Sequence, residues 1–411
     1  MKPEIISTFY QKYSKIALIN LTLVALIGVI MRYKIGFDFP FFDQKHLQHA
    51  HSHFAFGGWV TLGLYLFISH YLEESGIHSK ALKKLIHIQL LLSCGMLISF
   101  ATGGYSLLSI VLSTASVLVS YAYLYLFTGY RKIIHPEVPG YKWYLMALIF
   151  QAISSVGTFV LAYMMATHSF HQHTYLASVY FFLHFQYNGW FLFGIIGSTL
   201  YFFYSQFKVT VSDNLAYILL SISVFPAFGL SILWMDLPAY LYLIVIAFVI
   251  LQSIGIILLL LSFWNLKPII LPKLPPIVKW GSIFGGSAYG IKFAMQLASV
   301  IPALSHLAFG FRPVVIAYLH LVLLAATSVI LLTLLLGQNW LKINQWTISG
   351  FAVLLLGIFL NEAGLGAQGI ASFDYIVIPG INLYLFAVSC LILLSLIIIN
   401  LAQYIKTQSK S

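Results

Sequence analysis

The chain is 411 residues long, with 61% hydrophobic and 8% charged residues. This composition excludes an ordinary water-soluble globular protein and predicts a polytopic membrane protein. It has 21 Lys and Arg residues against 10 Asp and Glu residues. In a membrane protein such a basic excess indicates loop orientation and does not predict nucleic-acid binding. The two cysteines, Cys94 and Cys390, lie in apolar runs, so neither a disulfide framework nor a thiolate metal site is predicted.

Apolar stretches of roughly 20 residues, the length that spans a bilayer as a helix, recur along the whole chain. The first of them shows no cleavage signal, so we predict a retained helix. We therefore predict an all-α fold of about twelve transmembrane helices, forming a single transmembrane domain over 1–411. The predicted spans are 15–33, 49–72, 85–102, 107–129, 143–165, 174–204, 215–235, 240–264, 279–304, 313–336, 346–360 and 375–404.

The positions of Lys and Arg predict the orientation, because these residues are retained on the cytoplasmic side. With the N-terminus inside, 16 of them fall on the inside and 4 on the outside, and Lys292 lies within a span. Both termini are then cytoplasmic. We expect a multi-pass protein of the inner (plasma) membrane whose main partner is the lipid bilayer.

The stretch HLQHAHSHFAFGGW, His46 to Trp59, places four histidines at the start of a long apolar run. On a helix His46, His49 and His53 share one face, while His51 points elsewhere. Two interpretations are open. The cluster is either solvated by water and lipid headgroups, or it contains a metal ligand, because an imidazole in hydrocarbon needs a partner. His53 lies deepest and is our first candidate ligand.

Two further histidines stand in comparable positions on later spans. His184 precedes a Gly-Trp pair at the same distance as His53 does, and His320 lies seven residues past Pro313. The three histidines are separated by 131 and 136 residues, which indicates a four-helix unit repeated three times. Each is either a core imidazole bonded to a neighbouring group or a metal ligand.

Matching depths of His53 and His320 predict a shared metal. A helix rises about 1.5 Å per residue, so each lies about 10 Å into its segment. Two imidazoles at one level suit the axial ligation of a b-type haem iron, whereas a closed zinc site usually needs four ligands. Another group, His168, His171 and His173, precedes the sixth span; it is either solvated or a copper or zinc site.

Taken together, these features resemble subunit I of the haem-copper oxidases and nitric oxide reductases. The shared features are the twelve spans, the inside termini, the threefold arrangement, and histidines on the second and tenth spans. The FGG after His53 is also similar to the glycine pair of the oxidases closest to nitric oxide reductases. The resemblance implies a low-spin haem held by His320 and by His53 or a neighbour, His49 or His51. It also implies electron transfer or the binding of NO or O2.

The second metal centre of that family is only partly represented. Its oxygen-binding haem needs a histidine where this chain has Tyr318, and its copper needs a histidine pair that the seventh span lacks. His184 matches the copper ligand of the sixth span, but Asn188 stands where some members have tyrosine. The family's arginine pair for the haem propionates is replaced by NEAGLGAQGIASFD. We expect the haem site to be retained and the copper site to be lost, with the propionates bound by Arg312, Lys45, Arg32 or Lys34.

Lys292 is the one cation within a predicted span. It either extends along its helix to an interface or serves as a proton relay or a site for an anion. Glu362 would be its carboxylate partner only if it reached the middle of the membrane, and we predict that it lies at the outside end of the eleventh span.

Three functional hypotheses follow. The first is an integral membrane haem protein that transfers electrons or binds a diatomic gas, with a small redox protein or another membrane subunit as partner; a haem protein of the nitric-oxide-response type is close to it. The second is a metal or small-solute transporter that uses the outside histidines and a relay of His184 and Lys292. The third is a structural subunit without cofactors. No catalytic residue is assigned.

Overall fold

A computed structural model describes residues 3–134, 138–304 and 311–405, with side chains from residue 8 onward. Within these residues the structure is helical and contains no strand, which confirms the all-α class. Lys2, Lys406 and Lys410, counted above as inside charges, lie outside the described residues. The long helices are α1 Pro3–Gly36, α2 Gln44–Glu74, α3 Lys80–Gly103, α4 Leu107–Gly129, α5 Tyr141–Ala166, α6 172–207, α7 Asn214–Met235, α8 Ala239–Lys273, α9 Pro276–Ala298, α10 Arg312–Gly337, α11 Gln345–Phe373 and α12 Ile381–Ala402.

Ten of these helices are long and apolar enough to cross a bilayer. The other two, α6 and α9, coincide with the predicted sixth and ninth spans but carry more polar and small residues, including His184 and Lys292. The described chain is therefore a multi-pass helical bundle by length and composition, with ten spanning helices on this criterion.

Capping side chains explain where several helices begin. The carboxylate of Asp43 accepts hydrogen bonds from the backbone N–H groups of Lys45 and His46 at the start of α2, at 2.8 and 3.1 Å. These bonds, led by that from His46, hold the pKa of Asp43 below its usual value. Ser79 and Asn344 accept from the first turns of α3 and α11 in the same way.

Several predicted boundaries are wrong by more than a turn, among them the ends of the ninth and eleventh spans. The ninth span was predicted to reach 304, but α9 ends at Ala298, shortly before Pro302, which disfavours helix in the residue before it. The eleventh was predicted to end at 360, but α11 continues to Phe373. Its glycines do not end the helix because they serve close packing, Gly364 against α12 and Gly369 against α10. Glu362 therefore lies within α11 and not at its end.

Three helices, α2, α6 and α10, contain a π-helical segment that begins one or two residues after a histidine. Such segments are rare and occur frequently at functional sites. In α10 the hydroxyl groups of Thr327 and Ser328 donate to carbonyls five residues back, at 2.8 and 2.7 Å, as the wider turn requires. The segments are Ala55–Thr61 after His53, Phe185–Phe191 after His184, and Leu321–Ser328 after His320.

Two tryptophans join these three segments. The indole N–H of Trp59 donates to the hydroxyl of Ser328 at 2.9 Å, and that of Trp190 donates to the hydroxyl of Thr61 at 3.2 Å. Each tryptophan lies six residues after its histidine, and each acceptor lies eight residues after one. The links therefore connect α6 to α2 and α2 to α10 at corresponding positions in the buried core.

Candidate functional site

The histidines at the start of α2 face two opposite sides. His46, His49 and His53 all lie against the end of α3 and the turn that follows it, which confirms the prediction that they share one face. The ring of His53 stacks on Phe100, with centroids 4.3 Å apart and planes 9° apart. His49 meets Tyr105 edge-on at 4.5 Å, and His46 lies against Gly104.

His51 projects to the other side, toward α1. Its Nδ1 lies 3.0 Å from the backbone carbonyl of Val24, and the ring also lies against Gly28, one turn further along α1. A carbonyl oxygen only accepts hydrogen bonds, so this contact assigns the proton to Nδ1. The other nitrogen, Nε2, then presents a lone pair.

His320 has the same arrangement on α10. Its Nδ1 donates to the carbonyl of Ile316 at 2.8 Å, which again leaves Nε2 with a lone pair. No other described residue forms a hydrogen bond to either Nε2. The imidazoles of His51 and His320 are within range of an electrostatic interaction with each other. Counted from the starts of their helices, they lie about 11 and about 12 Å along the axes at 1.5 Å per residue.

The half of α10 that carries His320 is only partly covered by side chains. None of its residues from Arg312 to His320 is buried, whereas most of the following residues to Gly337 are. The burial of side chains thus increases within the single helix α10, after His320. Among the described residues, the surface next to His320 is therefore only partly covered.

Of the four basic residues predicted near this site, one lies beside the histidine pair. Arg32 is half-buried on the same stripe of α1 as Val24 and Gly28, and its charge acts on His320. Lys34 instead donates to the carbonyl of Phe39. Arg312 and Lys45 are exposed at the first turns of α10 and α2.

His184 belongs to a separate, fully hydrogen-bonded group. Its Nε2 donates to the carbonyl of Val224 on α7 at 2.8 Å, and its Nδ1 accepts from the amide of Asn188 at 3.1 Å. The amide oxygen of Asn188 in turn accepts from the amine of Lys292 on α9. We call these four residues the polar bridge. It joins α6, α7 and α9, and His184, Asn188 and Lys292 are buried.

The polar bridge settles two open points of the sequence interpretation. Lys292 is 0% exposed, so the interpretation that it extends to an interface is wrong. His184 and Lys292 are brought together, but through Asn188, which the sequence had marked only as a departure from the family pattern. Val224 contributes a backbone carbonyl, for which the sequence carries no signal.

The residues around His184 do not fit a copper ion. Both ring nitrogens are engaged, and the next polar neighbour after Asn188 is an amine, which would repel a metal cation when protonated. Across the described chain, no three His, Cys, Asp or Glu side chains group as metal ligands. The loop histidines His168, His171 and His173 are exposed.

No protein-family model matches this chain, and no curated protein is significantly similar to it. The resemblance to the oxidase subunit therefore rests on the residues and contacts described above.

Proposed function

We propose that this chain is an integral membrane haem protein, similar to haem-copper oxidase subunit I, in which His51 and His320 hold one b-type haem. One observation carries the proposal: the imidazoles of His51 on α2 and His320 on α10 interact electrostatically, and each has its Nδ1 bound to a backbone carbonyl. A hydrogen bond of this kind fixes the tautomer and the ring orientation, which is typical of metal-ligating histidines.

The structure favours His51 over His53, the first candidate of the sequence analysis. Residues two apart on a helix point to nearly opposite sides, and His53 lies against α3, away from α1. His51 lies on the side of Arg32, whose charge also reaches His320. His53 and His49 remain predictions that substitution can test.

The residues around the pair fit a haem in two respects. Val24 and Ile316 orient the two rings, and the guanidinium of Arg32 suits a propionate carboxylate. A haem bound there would supply a one-electron redox centre whose potential is set by its ligands and surroundings. Electron transfer is the proposed role, with a small redox protein or another membrane subunit as partner. Binding of NO or O2, the alternative role, would require one of the two imidazoles to be displaced.

The twelve-span, threefold arrangement is part of the same proposal. Its support is the recurrence of a π-helical segment after His53, His184 and His320, together with the tryptophan links between corresponding positions. The distribution of Lys and Arg supports cytoplasmic termini in a plasma membrane. In this arrangement the polar bridge occupies the place of the family's copper centre.

A second candidate function is a metal or solute carrier. The contact of His184 with Lys292 through Asn188 favours it, because such a chain of groups would serve a carrier as an intramembrane relay. In that case the exposed His171 and His173 would collect the metal.

Metal analysis of the detergent-purified protein separates the two candidates. The haem proposal predicts about one iron per chain and a Soret absorption band. Protein that has neither iron nor a Soret band after expression with sufficient haem would contradict it. Bound copper or zinc without iron, with metal uptake that depends on His171 and His173, would favour the carrier.

A further inference from the structure

A second feature lies on the opposite side of α2 from His51. A cavity of about 600 Å³ is enclosed by α2, α3, α4, α5 and α6, and His53 is part of its wall. This volume lies within the range of about 300–1,000 Å³ that is typical of small-molecule sites. The cavity is separate from both the histidine pair and the polar bridge.

The cavity wall includes buried, uncharged polar groups among its apolar residues. Three glutamines line it, Gln89 from α3, Gln151 from α5 and Gln186 from α6, together with serines of α4 and α5. Apolar residues would be expected on helices that face only each other or lipid, because polar groups are costly in a membrane interior. Their convergence from four helices therefore indicates a built site.

Hydrogen bonds hold these groups in place. The hydroxyl of Ser116 donates to the side-chain amide oxygen Oε1 of Gln89 at 3.0 Å, and the side-chain amide of Gln186 donates to the hydroxyl of Ser154 at 2.8 Å. His53 differs from them, because no described residue forms a hydrogen bond with its ring nitrogens, although the ring is held by stacking on Phe100. An imidazole on the cavity wall is thus able to donate to or accept from a ligand.

The mouth of the cavity is apolar and lies between α4 and α5. Its residues include Ile110 on α4, and Phe159, Ala162 and Met165 on α5, of which Phe159 and Met165 are 44% and 49% exposed. These side chains lie on the outer surface of a helical bundle where lipid chains would contact them. A ligand would enter sideways from the bilayer, with its polar end first.

We propose that this cavity binds a lipid-soluble molecule whose uncharged head carries hydroxyl or carbonyl oxygens and whose apolar tail extends between α4 and α5. No Asp, Glu, Lys or Arg is among the lining residues, so the wall offers hydrogen bonds without a compensating charge. A charged phospholipid head would lose its hydration there without an ion-pair partner. A membrane quinone and a diacylglycerol both have the required chemistry.

The test is a binding titration of the full-length protein in lipid nanodiscs with two probes, a short-chain naphthoquinone and dioctanoylglycerol. We expect saturable binding of at least one probe at one per chain. Ala162→Trp, which fills the mouth at an exposed position, should weaken that binding at least tenfold. Val156→Trp is the matched control, because Val156 is 50% exposed on the same helix and does not line the cavity; it should bind like the wild type.

Gln186→Leu tests the wall independently of the mouth, since it removes the polar groups at nearly constant volume. It should also weaken binding at least tenfold, in protein whose size-exclusion profile is unchanged. If only the quinone binds saturably, the ligand of the cavity is a redox carrier. If only the diacylglycerol binds saturably, the ligand is a lipid. The proposal is overturned if neither probe binds saturably, or if Ala162→Trp binds like the wild type.

Discussion

At the scale of single residues, the hydrogen bonding of the second ring nitrogen determines whether each of three histidines can bind a ligand. In His51 and His320 a backbone carbonyl takes the Nδ1 proton and leaves Nε2 with a lone pair. In His184 both nitrogens are engaged inside the polar bridge. These three imidazoles are therefore of two chemical kinds.

The polar bridge leads to a prediction about stability. Asn188→Leu leaves the amine of Lys292 and the Nδ1 of His184 without a partner in the core, which should lower the free energy of unfolding by about 1–3 kcal/mol. The double variant Asn188→Leu/Lys292→Met removes the stranded amine as well. Its loss in free energy of unfolding, measured in detergent, should be smaller than the sum of the losses caused by Asn188→Leu and Lys292→Met alone. Strict additivity would show that the three groups are not coupled.

The sequence predicts part of this arrangement of histidines. The spacing of His46, His49, His51 and His53 was enough to assign their two faces, because helical geometry is local. It was not enough to choose between His51 and His53, since that choice depends on the carbonyl of Val24, which is on another helix. The partners of Lys292 are likewise 104 residues away along the chain.

At the scale of helices, glycine allows some helix backbones to lie closer together than any other residue would allow. Gly157 on α5 lies so near the backbone of α6 that an added methyl group would meet the carbonyl of Ser178 and lie 3.0 Å from the N–H nitrogen of Phe182. Backbone atoms cannot move aside as a flexible side chain does. Helices α5 and α6, which both line the cavity, therefore depend on this glycine for their separation.

Substitution of that glycine should push the two helices apart. Gly157→Ala is expected to lower the free energy of unfolding by about 1–3 kcal/mol, the usual cost of overpacking. Gly286→Ala is the control, because the structure has nothing within 4 Å of the added methyl group there. Its stability should be unchanged or slightly higher, since alanine has the better helix propensity. Equal effects of the two changes in thermal unfolding would contradict this packing.

The helices themselves were largely predictable, because long apolar runs carry a strong signal. The errors fell where tertiary contacts override local preference, as at Gly364 and Gly369, which pack against neighbouring helices and leave α11 unbroken. The π-helical segments were not predicted at all. The repeated histidine-to-Gly-Trp pattern marked the position of two of them, but its meaning was visible only in the structure.

At the scale of the whole molecule, the distribution of Lys and Arg predicts which loops face the cytoplasm. The loop between α1 and α2 should be outside and the loop between α2 and α3 inside. Single cysteines at Phe41, which is 77% exposed, and at His78, also exposed, can report this in a background without Cys94 and Cys390. A membrane-impermeant maleimide should label Phe41→Cys in intact spheroplasts, and His78→Cys only after permeabilisation. The reverse pattern would show that the orientation is inverted.

The proposed haem between α2 and α10 is tested most directly by one reduced-minus-oxidised optical spectrum, recorded on equal amounts of purified wild type, His51→Ala and His53→Ala. We expect the haem bands in the wild type and in His53→Ala, and their loss in His51→Ala, because His51 interacts electrostatically with His320 whereas His53 stacks on Phe100. Haem bands that persist in His51→Ala but disappear in His53→Ala, or a wild type without any, would contradict this site.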